Sequence, residues 1–180
     1  MRITGGKYRG RTVEFAHGSL DIRPAMDRMR ESLFAVLGEL TGLSFLDLFA
    51  GTGILALEAA SRGADPVVCV ERDRDKFPVL LRNVGIAEER IECKAMPAER
   101  FLLRNRRPFD LVFCDPPFPY RYRDEILLSL AGGASLAPGG IALMHYPSEH
   151  PPSIDSEALT IEDERSYGRS HVRFYRKKTT

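Results

Sequence analysis

With 180 residues, 43% of them hydrophobic, and a formal net charge of +1, the chain suits one domain that buries roughly two thirds of the surface its unfolded form would expose, leaving no room for a second catalytic domain. The start, Met1-Arg2-Ile3-Thr4-Gly5-Gly6, has no apolar signal core, and nowhere do about 18 apolar residues run together, so a cytoplasmic protein with no membrane partner is expected. Cys69, Cys93 and Cys114 lie far apart in apolar runs and read as core thiols, while His17, His145, His150 and His171 form no ligand-spaced pair, so no metal site is expected.

The near-neutral total conceals an asymmetry. Residues 1–30 hold seven Lys/Arg against three acids, and residues 165–180 hold six with no acid, which leaves −9 for the middle. Basic ends on an acidic body point to a polyanion held by the termini.

In chain order, residues 1–15 form two short alternating runs around Gly5-Gly6-Lys7-Tyr8-Arg9-Gly10, a predicted β-hairpin that belongs to an N-terminal extension over residues 1–20. Lys7, Arg9 and Arg11 offer charge to phosphates and Tyr8 an aromatic face to a base, the combination of an RNA-binding appendage. A second domain unit is assigned to residues 21–180. It opens with Arg23, a further RNA candidate, and a helix from Pro24 to Leu37 whose apolar stripe is Met29, Leu33, Val36 and Leu37.

Phe45 to Phe49 is a short apolar run with one acid, Asp47, that enters the turn Ala50-Gly51-Thr52-Gly53 and then the helix formers from Ile54 to Ala60. Gly51 and Gly53 lack a β-carbon, so the chain turns tightly and a ligand can approach its backbone. Two cofactors compete here. Gly51 to Ala56 satisfies the dinucleotide pattern G-x-G-x-x-G/A, with Glu71 about 20 residues on. The wording D-x-F-x-G-x-G instead resembles motif I of the class I methyltransferases, whose glycine backbone meets S-adenosylmethionine.

Pro66 to Glu71 reads as a buried strand whose terminal carboxylate can accept from two ribose hydroxyls, followed by Arg72 and a helix from Asp73 to Val84. Arg90 to Lys94 is a third strand leading to a helix through Phe101 and Leu102. In methyltransferases this junction covers the adenine, commonly with an Asp where Lys94 or Ala95 stands; by that resemblance the Ala95 backbone and the Met96 side chain take its place here.

Phe109 to Cys114, a fourth strand, delivers Asp115-Pro116-Pro117-Phe118. The lone pair of an exocyclic base amine is delocalised into the ring, so acceptors must hold its hydrogens if it is to take a methyl group. The Asp115 carboxylate and the Pro116 carbonyl can do so, Pro117 stiffens the loop, and Phe118 can stack on the base. Beyond it come a helix over Ile126–Leu130, a turn at Ala137-Pro138-Gly139-Gly140, a fifth strand from Ile141 to Tyr146, and an antiparallel pair from Leu159 to Glu164 and from His171 to Tyr175. Arg176-Lys177-Lys178 either touches phosphate or frays.

The opening M-R-I-x-G-G-K-Y-R-G-R, the segment R-P-x-x-D-R-x-R-E-x-L-F, D-L-F-A-G-T-G, D-P-P-F and Tyr167-Gly168-Arg169-Ser170 together resemble the RsmD-type bacterial 16S ribosomal RNA guanine-N2 methyltransferases along essentially the whole chain. The resemblance implies an α/β, Rossmann-like class I methyltransferase with a seven-stranded, mainly parallel sheet and an N-terminal β-hairpin extension. It implies S-adenosylmethionine as cofactor, held by Asp47, Phe49, Ala50, Gly51, Gly53, Glu71, Arg72, Ala95 and Met96. Asp115, Pro116, Pro117 and Phe118 are the implied catalytic residues, Arg169 is a further RNA contact, and the partner is 16S rRNA in a 30S subunit or assembly intermediate, met by a monomer. An N6-adenine DNA methyltransferase, a small dinucleotide oxidoreductase and a non-catalytic RNA-binding protein remain the rival readings.

Overall fold

The computed structural model describes residues 1–15 and 24–179. Helices and strands alternate as α1 (Pro24–Leu37), β1 (Phe45–Asp47), α2 (Ile54–Ser61), β2 (Val67–Glu71), α3 (Phe77–Val84), β3 (Ile91–Ala95), α4 (Ala98–Arg104), β4 (Phe109–Cys114), α5 (Arg123–Gly132) and β5 (Leu136–Pro147), closing with β6 (Leu159–Tyr167) and β7 (Ser170–Lys177). All seven strands join one sheet in the order β3-β2-β1-β4-β5-β7-β6. The first five run parallel, and β7 inserts antiparallel between β5 and β6.

The period-2 alternation of the buried strands divides the core between two faces. Leu46, Val68, Val70, Val112 and Cys114 point to α4 and α5, whereas Phe45, Val67, Cys69, Leu111 and Phe113 point to α1, α2 and α3. Cys69 and Cys114 are buried as expected, while Cys93, opposite Cys69 in the β2–β3 register, is half-buried.

Several boundaries differ from the sequence expectation, with α5 beginning three residues before Ile126 and β6 ending three residues after Glu164. The helix after β2 begins at Phe77 rather than Asp73, because Asp73 Oδ1 accepts from the Asp75 amide at 2.9 Å and makes a side-chain turn ahead of Pro78. Ala137 to Gly140 lies inside β5 rather than in a turn, with the pairing register shifting opposite Phe109–Leu111, as a bulge requires. β1 stops at Asp47, two residues before Phe49, as the backbone enters the glycine turn.

The first 15 residues form a looser hairpin than expected, with a single bridge, Arg2 to Thr12. They lie against the domain: Ile3, Tyr8 and Val13 bury themselves with Leu57 of α2. Gly6, at φ +73°, comes so close to the end of α2 that a β-carbon there would stand 1.8 Å from the Ser61 carbonyl oxygen. That approach lets the Lys7 amide donate to Ser61 O at 2.7 Å and the Tyr8 amide donate to Ser61 Oγ at 2.8 Å. Glu58, fully buried on α2, locks the same junction by accepting from the Thr4 amide at 2.8 Å, Thr4 Oγ1 at 3.0 Å, Arg30 Nε at 3.0 Å and Arg62 Nη1. The expected boundary between residues 20 and 21 lies outside the described residues.

Folding also redistributes the charge asymmetry. Lys7 pairs with Glu88 and Glu89, Arg165 with Asp163, Arg169 with Glu149, Arg173 with Glu164 and Arg176 with Glu162. Lys177 is not free for phosphate: its Nζ donates to the carbonyls of Leu130, Gly133 and Leu136 around the end of α5. Among the described residues, no helix is long and apolar enough to cross a membrane.

Candidate active site

From the neighbours β1 and β4 the chain works outward in opposite directions, toward β2 and β3 on one side and β5 on the other, so the carboxyl ends of these two strands flank the crevice where open α/β sheets hold ligands. A cavity of about 630 Å³ occupies that place. Its size and largely apolar wall suit a small-molecule site.

The turn after β1 supplies Phe49, Ala50, Gly51 and Thr52 to the wall. Gly51 and Gly53 both have positive φ, +54° and +81°. At Gly53 a β-carbon would also lie 2.6 Å from Leu80 Cδ1, so the glycine lets α2 approach α3 as well. Across the turn, the buried Glu71 accepts from the Gly51 amide through Oε2 and from the Asp73 amide through Oε1, each at 2.8 Å. The carboxylate is thereby fixed on the cavity wall with lone pairs to spare.

Asp47 is fully buried, with Oδ1 accepting weakly from the Phe49 amide at 3.4 Å and Oδ2 lacking a partner among the described residues. Burial first, and the nearby Asp115 charge second, push its carboxyl well above the usual carboxylate range.

Among the residues expected at the cofactor, Phe49, Ala50, Gly51, Glu71 and Arg72 line the cavity. Asp47 and Gly53 support the turn without reaching the wall. Ala95 and Met96 do not reach it either: the Met96 amide donates to Glu71 O at 3.1 Å, and its side chain packs into the α4–α5 core. Ala98 and Glu99 at the start of α4 stand on the wall there instead.

Asp115, Pro116, Pro117 and Phe118 form the other wall. Arg123, the first residue of α5 and only 5% exposed, clamps their loop from below. It donates through Nη2 to the carbonyls of Pro117 and Phe118, each at 3.2 Å, and through Nη1 to that of Tyr120. The Tyr120 amide donates to Pro117 O at 2.8 Å, and the Tyr120 ring meets Phe49 edge-on at 5.2 Å between centroids. Asp115 is partly exposed, and its Oδ1 lies 2.5 Å from Nδ1 of His145 on β5.

Sequence reading missed His145, Arg123, Tyr120 and Glu99, which belong to no spaced pattern. The one available signal was His145 itself, the lone polar residue in the apolar run Ile141-Ala142-Leu143-Met144.

The expected RNA residues are less free than the sequence suggested. Tyr8 is fully buried, with its hydroxyl donating to Glu89 and accepting from the Glu88 amide at 2.9 Å, so its ring cannot stack on a base. Lys7 and Arg169 are engaged by acids, and Arg11 Nη1 donates to Ile86 O at 2.7 Å. Arg9 is exposed and has no acidic partner among the described residues. Arg23 lies outside the described residues.

Comparison with known proteins agrees with this geometry. The family model described as Conserved hypothetical protein 95 matches residues 1–176. "Ribosomal RNA small subunit methyltransferase D" of Escherichia coli is 35% identical over 151 residues, 83% of this chain and 75% of that protein. Its namesake in Haemophilus influenzae is 33% identical over 185 residues, covering 97% and 93%. A solved Escherichia coli structure, provisionally named methyltransferase yhhF, superposes with a TM-score of 0.89 at 28% identity, covering 100% of this chain and 99% of that one. The chain therefore belongs to the Conserved hypothetical protein 95 family, that of the RsmD-type ribosomal RNA methyltransferases, and has the class I methyltransferase fold.

Proposed function

We propose that this protein transfers a methyl group from S-adenosylmethionine to the exocyclic N2 amine of a guanine in small-subunit ribosomal RNA, acting as a monomer on 16S rRNA in a 30S subunit or assembly intermediate. The observation that carries this reading is that Asp115-Pro116-Pro117-Phe118 stands on the wall of the same cavity as the Gly51 turn and Glu71. An amine-holding carboxylate and a ribose-holding carboxylate thus face one space.

The residues present fit that cofactor. Glu71 is held with acceptor capacity left for two ribose hydroxyls, the Gly51 turn offers bare backbone, and Phe49 and Leu55 add apolar wall. When bound, S-adenosylmethionine supplies a sulfonium methyl group open to in-line displacement by an amine nitrogen.

The chain's own contribution is positioning and charge placement. Asp115 and the Pro116 carbonyl accept the amine hydrogens and turn its lone pair outward, and Asp115 takes the proton that the amine sheds. No described group donates to Pro116 O, because Arg123 engages the later carbonyls of the loop. Phe118 stacks on the base. Residues 1–20 are the RNA-facing extension, in which Arg9 is exposed and has no acidic partner among the described residues.

The test is to offer labelled cofactor to naked 16S rRNA, 30S particles and DNA, and to identify the modified nucleoside. N2-methylguanosine in RNA is expected. Label in DNA, or N6-methyladenine as product, would transfer the assignment to the adenine enzymes.

A further inference from the structure

His145 is 2% exposed near the carboxyl end of β5, where the strand's neighbours Leu143, Met144 and Tyr146 serve the core. Its Nδ1 lies 2.5 Å from Asp115 Oδ1, and its ring centroid is 5.6 Å from that of Phe118, at 57°. One buried side chain therefore touches both functional ends of the Asp115-Pro116-Pro117-Phe118 loop. An ionised carboxylate can only accept, so Nδ1 carries the hydrogen of this contact. Nε2 is buried with no partner among the described residues.

We propose that His145 is a positioning residue for methyl transfer: its Nδ1–H fixes the rotation of the Asp115 carboxylate, and its ring backs Phe118, so that acceptor and stacking face meet the base amine in one geometry. Without it, the partly exposed carboxylate would turn about its last torsion, which is broad and weakly held by intrinsic preference. A displacement of about 1 Å at a reacting group can cost about 10²-fold in rate. Arg123 sets the loop backbone, and His145 sets the side chain at its head.

The inference rests on the proposed reaction, so the experiment separates the two. Asparagine carries its amide nitrogen where the imidazole carries Nδ1, glutamine reaches past it, and leucine fills the volume without a donor. His145→Leu and His145→Gln should lower kcat by about 10- to 100-fold, with cofactor Kd and RNA KM within about twofold of wild type. His145→Asn should recover most of the lost rate. Equal loss in the Asn and Leu variants, or full activity in Leu, would overturn the proposal, and if His145→Leu fails to fold, the Asn–Gln comparison decides it alone. NMR gives a readout apart from activity: wild type should show a downfield imidazole N–H proton that Asp115→Ala abolishes, and its absence from wild type would also overturn the proposal. A wild-type protein that methylates no RNA would instead refute the proposed function.

Discussion

Glu71 Oε2 accepts the Gly51 amide at 2.8 Å, tying the end of β2 to the turn after β1 and placing an acidic oxygen on the cavity wall. Its other oxygen takes the Asp73 amide at the same distance. Replacing it by alanine removes the candidate ribose acceptor and leaves two backbone donors unmatched. Glu71→Ala should weaken S-adenosylmethionine binding by about 1 to 3 kcal/mol. Calorimetry checks this, and NAD should give no heat with the wild type; tight NAD binding without a response to the sulfonium compound would point to an oxidoreductase.

Glu58 is a structural counterpart, fully buried between Thr4, Arg30 and Arg62. Removing one member of such a buried network strands its partners, at a cost of about 3 to 5 kcal/mol. Glu58→Ala should show a loss of that order in urea unfolding, with the N-terminal segment becoming sensitive to protease. A change within about 0.5 kcal/mol, the range of ordinary surface substitutions, would show that the network contributes little.

These two carboxylates show what sequence can reveal. Glu71 was legible because it ends a strand at a fixed distance from a glycine turn, and the alternating strands and the loop at Asp115 were legible for the same reason: local period and spacing encode them. Glu58 sits in a helix of ordinary formers, and apart from Arg62 one turn on, its partners Arg30 and Thr4 come from 28 and 54 residues away. Tyr8 misled for the same cause, since its partners lie 80 and 81 residues on. A glycine-rich basic tip reads as exposed until the acids at Glu88 and Glu89 fold against it. His145 pairs with Asp115 only through the β4–β5 neighbourhood, which no spacing announces.

Asp47 gives a prediction about pH. Its folded carboxyl titrates well above the unfolded value, chiefly through burial. The folded state then keeps a proton that the unfolded chain releases, so stability falls as pH rises from the ordinary carboxylate range toward the raised folded value. Asp47→Asn, neutral and nearly the same shape, should flatten that decline and leave the protein at least as stable at neutral pH. Denaturant midpoints measured from pH 4 to 8 test this; a variant that keeps the full slope would assign the decline to another group.

Because phosphate contacts release counterions, the exposed cation Arg9 should reveal itself through salt. Arg9→Ala should weaken RNA binding and lower the slope of log affinity against log salt by about 1. Cofactor affinity should stay unchanged, and so should stability, since Arg9 makes no ion pair among the described residues. Deleting residues 1–15 is a poorer test, as it would uncover Leu57 and strand Glu58. An unchanged slope in Arg9→Ala would place the RNA on another face.

In the proposed reaction, base choice would turn on Asp115. Guanine presents N1–H and N2–H side by side as donors, so one carboxylate can accept from both, whereas adenine turns the N1 acceptor toward the same negative charge. In the proposed reaction, Asp115 would therefore favour guanine electrostatically. Asp115→Asn keeps the size but halves the acceptor capacity, and the His145 Nδ1–H beside it will claim the remaining carbonyl oxygen, turning the amide donors toward the base. Two donors facing the donors N1–H and N2–H repel the substrate edge that the carboxylate attracted. Methyl transfer should fall by about 10²-fold or more, the scale of losing one positioned electrostatic group. Cofactor binding should change little, because Glu71 and the glycine turn remain in place. Single-turnover rates on small-subunit RNA, with cofactor Kd measured in parallel, separate the two effects; full guanine-N2 activity in the variant would refute this account of the carboxylate.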